Sequence, residues 1–107
     1  MTVDLDWENL GFNYSKLPFR YISYYKDGKW DEGQLTEDAT LHISEASPAL
    51  HYGQEAFEGL KAYRTKDGSI QLFRPDDNAK RLQRTADRLL MPQVPVDKFV
   101  DACKQVV

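Results

Sequence analysis

The chain changes period at Pro75, and that change limits what it can fold into. Ahead of Pro75, β-branched and aromatic residues gather in short runs around two copies of Lys-Asp-Gly, at 26–28 and 66–68. Asp-Gly tolerates the positive φ that tight hairpin turns need, so each copy reads as a turn between strands. The first hairpin is expected to pair residues 19–25 with a short strand at Lys29-Trp30, and the second to pair 56–64 with 69–73. Residues 40–43 read as one more short strand. Behind Pro75, Ala79, Leu82, Ala86 and Leu89 recur at helical spacing until Met91-Pro92 breaks the pattern. Pro75 opens that helix with Asp76 and Asp77 in a first turn that favours negative charge. Pro95 begins a second helix, whose stripe is Val96, Phe99, Val100, Cys103 and Val107. Strands followed by helices predict an α+β fold: a small antiparallel β-sheet with two helices packed on one side. The second helix reaches Val107 with its stripe unfinished and no C-cap residue, which suggests a piece of a longer protein.

With 107 residues, the chain has room for one core and not two. Its wholly apolar runs are only a few residues long, too short to span a membrane. The start, Met1-Thr2-Val3-Asp4-Leu5-Asp6, lacks the basic and apolar regions of a signal peptide. A lone cysteine, Cys103, rules out an internal disulfide framework and suggests a reducing compartment. A formal charge of −3 argues against nucleic acid as the main partner. Together these describe a soluble, cytoplasmic chain with no membrane partner.

The stretch "LHYGQEAFEGLKAY", residues 50–63, mixes aromatics, glycines, a histidine and two glutamates. If residues 57–63 form a strand, Phe57, Gly59, Lys61 and Tyr63 share one face and Glu58, Leu60 and Ala62 the other. Aromatics beside a bare glycine suit the wall of a ligand pocket, although from these residues alone a half-exposed strand with a bulge is the favoured reading. Arg81, with Arg84 and Arg88 at i+3 and i+7, reads from spacing alone as part of a solvated helix face. His42 and His51 have no third partner at metal-ligand spacing and read as structural. Cys103 reads as a core thiol. Glu55 and Glu58 fall on opposite pleat faces, which rejects them as an acid/base pair.

The segment "ALHYGQEAFEGLKAYRTKDGSIQLFRPDDNAKRLQRTADRLLMP" resembles the small N-terminal domain of branched-chain amino acid aminotransferases, fold-type IV enzymes that use pyridoxal 5'-phosphate (PLP). The likeness is dense over 47–92 and continues through "RYISYYKDGKW" and "VDKFVDACKQVV". "LHYG…FEGLKAYR", "LFRP" and "N-x-x-R" in this order make a specific combination. The resemblance implies that Tyr52 and Phe57 line the substrate side-chain pocket, that Gly59 is the small residue facing it, and that Arg81 holds the cofactor phosphate. Residues 10–14 match a stretch that contributes an aromatic to the pocket. Leu10 stands where animal members have phenylalanine, which leaves Phe12 or Tyr14 to substitute.

The same resemblance implies a reaction between leucine, isoleucine or valine and 2-oxoglutarate, with branched-chain amino acids and 2-oxo acids as ligands and a homodimer as the assembly. It also implies that residues 1–107 are the small domain of a two-domain enzyme. No catalytic residue lies in this chain on that reading, because the Schiff-base lysine belongs to a C-terminal domain absent here. Lys61, one of eight lysines, shares the pocket-facing parity of Phe57 and Gly59. The family pattern, however, has Lys or Arg at that position, and an arginine could not do the lysine's work. Alternatives are a related fold-type IV enzyme, such as a D-amino acid aminotransferase or aminodeoxychorismate lyase, or a non-catalytic dimerisation domain. The "HYG…FEGLKAY" pattern argues against the related enzymes.

Overall fold

The computed structural model describes residues 5–9 and 11–107. After a one-turn 3-10 helix at Trp7–Asn9, the chain forms β1 (Arg20–Ile22), β2 (Tyr25–Lys26), β3 (Lys29–Trp30) and β4 (Gln34–Thr36). Then come a short helix α1 (Pro48–Tyr52), the strands β5 (Ala62–Arg64) and β6 (Ile70–Leu72), and the helices α2 (Pro75–Arg88) and α3 (Val96–Val106). The expected α+β class is borne out. The strands make three antiparallel pairs, β1 with β4, β2 with β3 and β5 with β6, rather than one continuous sheet.

The first four strands form one interrupted ribbon. Its tip is the turn at Asp27 (φ 53°) and Gly28 (φ 80°), the doubly positive geometry of a two-residue hairpin. Tyr25 lies opposite Trp30 there, with the ring centroids 5.3 Å apart edge to face. Below it the ladder breaks at Asp31. The Asp31 carboxylate accepts from the Ser23 hydroxyl at 2.7 Å, the Tyr24 N–H at 3.1 Å and the Gly33 N–H at 2.9 Å. It does for these donors what a strand would have done. Those bonds, the Ser23 hydroxyl first, hold the Asp31 carboxyl below its usual range. Pairing resumes with Arg20 opposite Thr36 and Ile22 opposite Gln34. The first hairpin is therefore shorter at its tip than expected, and its base pairs with residues beyond Trp30. Residues 40–43, expected as a strand, have no ladder; the Asp38 carboxylate instead accepts from the Thr40 N–H at 3.0 Å and bonds the His42 ring at 2.9 Å.

The second Lys-Asp-Gly makes a different turn. Only Gly68 (φ 89°) is left-handed, and its N–H donates to the Thr65 carbonyl at 3.0 Å. Both helices start where expected. Asp76 and Asp77 occupy the first turn of α2, and Pro95 caps α3. The end of α2 is a Schellman arrangement. There Met91 N–H donates to the Ala86 carbonyl at 2.8 Å and Leu90 N–H to that of Asp87 at 3.2 Å. Leu90 stands at φ 57°, where glycine is usual.

Helix α2 packs on α3, and α3 on β1. Ala79 and Ala86, two turns apart on one stripe of α2, are 1% and 5% exposed and are the fully buried apolar residues among those described. The connector between the helices gathers polar ties from elsewhere. Gln54 donates to the Leu89 carbonyl at 2.7 Å, Trp30 Nε1 to that of Gln93 at 2.9 Å, and Gln83 to that of Val94 at 2.8 Å.

The result is open. The accessible surface is 9001 Å², against about 6,100 Å² for a compact monomer of this mass. The radius of gyration is 15.5 Å, against about 13 Å.

Candidate functional site

The strip at 54–61 forms neither strand nor helix. Gln54, Ala56, Glu58 and Leu60 are half-buried while Glu55, Phe57, Gly59 and Lys61 are exposed, so the expected alternation of faces holds. The expected ladder over 57–61 does not form. Ala62 pairs with Leu72, so residues 59–61 would have to pair with 73–75. There Arg74 turns left-handed (φ 48°), and Pro75 has no N–H to give. The partner chain leaves into α2 at the point where the strip needs it.

Side chains of α2 take over that role. Asn78 Nδ2 donates to the Gly59 carbonyl at 2.8 Å and to Glu58 Oε1 at 3.0 Å. One turn on, Arg81 grips the same carboxylate through Nε, at 2.9 Å to Oε2, and through Nη2 to Oε1. Asn78 and Arg81, three residues apart on one helix face, thus clamp the strip from one side. The Glu58 side chain is 5% exposed and that of Arg81 59%. The Arg81 bonds are the main reason the Glu58 carboxyl sits below its ordinary range, Asn78 assists, and burial opposes them. The same pairing pushes Arg81 up, away from deprotonation.

Two shallow hollows meet at Asn78. One, of 580 Å³, is lined by Gly59, Leu60, Lys61, Tyr63, Phe73 and Asn78. The other, of 290 Å³, is lined by Asp77, Asn78, Lys80, Arg81 and Arg84. The structure therefore brings Gly59 and Arg81 to adjoining hollows. It does not gather the rest: Tyr14, Tyr52 and Phe57 are 79%, 87% and 92% exposed and line neither hollow. Phe12 is fully exposed, and Leu10 lies outside the described residues. Tyr52 ends α1, where Gly53 (φ 62°) turns the chain. His42 and His51 are engaged by Asp38 and by the Glu45 carbonyl.

Glu58 and Asn78 are the residues that sequence reasoning misses. Asn78 is visible as the first residue of "N-x-x-R". Glu58 is signalled by its inward parity, which rejecting its pairing with Glu55 leaves unused.

The chain is 71% identical over 104 residues to a branched-chain-amino-acid aminotransferase of Haemophilus influenzae, covering 97% of this chain and 30% of that protein. Along almost its whole length the chain is thus similar to the N-terminal part of a branched-chain-amino-acid aminotransferase. A Helicobacter pylori aminotransferase of the same name is 55% identical over 104 residues, 97% of this chain and 31% of the relative. A methionine aminotransferase of Arabidopsis thaliana is 46% identical over 105 residues, again 97% of this chain and 30% of the relative. No protein-family model matches the chain. The chain spans about 30% of the length of these relatives, in their N-terminal part. Among the described residues, no helix is long and apolar enough to cross a membrane.

Proposed function

We propose that residues 1–107 are the small N-terminal domain of a PLP-dependent, fold-type IV branched-chain amino acid aminotransferase. The complete enzyme exchanges an amino group between leucine, isoleucine or valine and 2-oxoglutarate. The observation that carries this reading is the 71% identity to the Haemophilus enzyme along almost the whole chain. A cytoplasmic homodimer is the setting we assign it.

The Arg81 hollow suits the phosphate end of PLP. In it, a guanidinium whose bonds to Glu58 use Nε and Nη2, with no bond from Nη1 among the described residues, stands near Lys80 and Arg84, and the neighbouring carboxylate, Asp77, is already held by Arg74 at 2.6 Å. A guanidinium offers a fixed fork of donors and stays charged at any working pH, which matches a phosphate dianion. Bound PLP supplies the electron sink for the transfer. This chain's part is to hold and to enclose. Arg81 anchors the phosphate, the bare backbone at Gly59 lets a ligand approach closely, and Tyr52, Phe57 and Tyr14 supply apolar wall once the rest of the enzyme faces them. Burying an aliphatic side chain against such a wall contributes about 25 cal/mol per Å². Discrimination by a single methylene is modest, so the wall sets a preference among branched side chains rather than a strict choice.

The test is leucine-dependent glutamate formation by the complete protein, with and without added PLP. PLP-dependent turnover with leucine, isoleucine and valine is expected. Turnover confined to methionine, or to D-amino acids, would overturn the substrate assignment.

A further inference from the structure

We propose that Glu58 is a positioning residue for cofactor binding: its buried carboxylate fixes the Arg81 guanidinium so that the outer donor edge is presented to the cofactor phosphate. This rests on the reading of Arg81 as the phosphate ligand. A guanidinium has five N–H donors in one plane. Glu58 takes the Nε edge and one Nη2 donor. The Nη1–Nη2 edge is left, and it has the spacing to bond two oxygens of one phosphate. Arg81 lines the hollow together with Asn78 and Arg84, and on this proposal the remaining edge is the one a phosphate there would meet.

The carboxylate is a firm anchor because it is itself held. Asn78 donates to Glu58 Oε1 at 3.0 Å, and the same amide holds the Gly59 carbonyl at 2.8 Å. The side-chain exposures, 5% for Glu58 and 59% for Arg81, place the support inside and the working donor outside. A carboxylate beside an anion site also subtracts from its attraction for phosphate. Arg84 in the same hollow offsets that, and Lys80, 3.7 Å from Asp76, adds to the offset in part. A preset fork also loses less freedom on binding than an exposed arginine left to swing.

The experiment uses the complete protein stripped of cofactor, titrated with PLP and with pyridoxal, which lacks the phosphate. Glu58→Gln keeps the size of the side chain and an acceptor for Asn78 but gives up the charged grip. It should raise the Kd for PLP roughly five- to tenfold and leave pyridoxal within about twofold. In an Arg81→Ala background, Glu58→Gln should add no further loss. Glu58→Asp, which keeps the charge one methylene out of place, should also weaken PLP more than pyridoxal, and it stands in if the glutamine variant folds poorly. Unchanged or tighter PLP binding in Glu58→Gln, while Arg81→Ala weakens it, overturns the positioning role and leaves the phosphate reading standing. Equal losses for PLP and pyridoxal also overturn it, in favour of a purely structural role. If Arg81→Ala itself leaves PLP affinity unchanged, the phosphate reading fails, and the proposal with it.

Discussion

At the tip of the second hairpin, Asp67 accepts from Ser69 N–H at 3.0 Å, from Ser69 Oγ at 2.7 Å and from the Thr65 hydroxyl, and its pKa falls to about 2. The Thr65 bond is the largest cause. A depressed carboxylate pKa stabilises the fold fully above the unfolded value and is lost as pH falls through the folded one. The hairpin should therefore be insensitive to pH above about 4 and loosen between about 4 and 2. Amide shifts of Ser69 should titrate with a midpoint near 2 and lose that transition in Asp67→Asn; a midpoint at the ordinary aspartate value would contradict the bonding described. Replacing the exposed Phe57 by alanine should leave stability within about 0.5 kcal/mol, yet lower kcat/KM for leucine in the complete enzyme roughly tenfold through lost pocket wall. Normal leucine kinetics with impaired PLP binding would place Phe57 on the wrong side of the cofactor. Single residues are legible in the sequence where one local rule decides them, as at Asp27-Gly28 and in the inward parity of Glu58. The clamp on Glu58 is not, because it joins residues 20 and 23 positions apart and no local pattern encodes that contact.

Among the elements, α2 and α3 can be read directly: a proline start and a run of apolar residues at helical spacing are both local signals. The strands cannot, because a strand exists only where a partner remains alongside. Residues 57–61 carry strand-like alternation and lose their partner at Arg74 and Pro75; residues 20–22 find theirs in 34–36 across the break at Asp31. Two substitutions test this element geometry with opposite signs. Leu90→Gly removes a left-handed leucine from an exposed C-terminal position and should stabilise by up to about 1 kcal/mol. Gly33→Ala should destabilise by about 1–3 kcal/mol, since φ is 73° and a methyl would overlap the Tyr21 hydroxyl. Thermal or urea melts of both variants measure this; equal effects would show that the backbone angles are not as described.

For the whole molecule, the dominant fact is uncovered apolar surface. Phe12, Tyr52, Phe57 and Phe73 are each more than 70% exposed, while full burial is confined to two alanines among the described residues. Monomers seldom leave that much apolar area in water. The isolated chain should self-associate, and sedimentation as a clean monomer at high concentration would contradict that. The α+β class is legible at this scale, whereas the openness is not, because composition says what is apolar and not what covers it. On our account the chain holds the phosphate arginine and part of a side-chain wall, and the groups that move the proton and orient the substrate carboxylate come from the rest of the enzyme. Positioning alone can supply roughly 7–11 kcal/mol of a barrier, and an incomplete site forfeits most of it. The most direct measurement is a leucine-dependent glutamate assay with excess PLP and 2-oxoglutarate. It would compare residues 1–107, the same chain carrying Lys61→Ala, and the complete protein. The account predicts sustained turnover by the complete protein and none by either short chain; many turnovers by residues 1–107, abolished by Lys61→Ala, would contradict it.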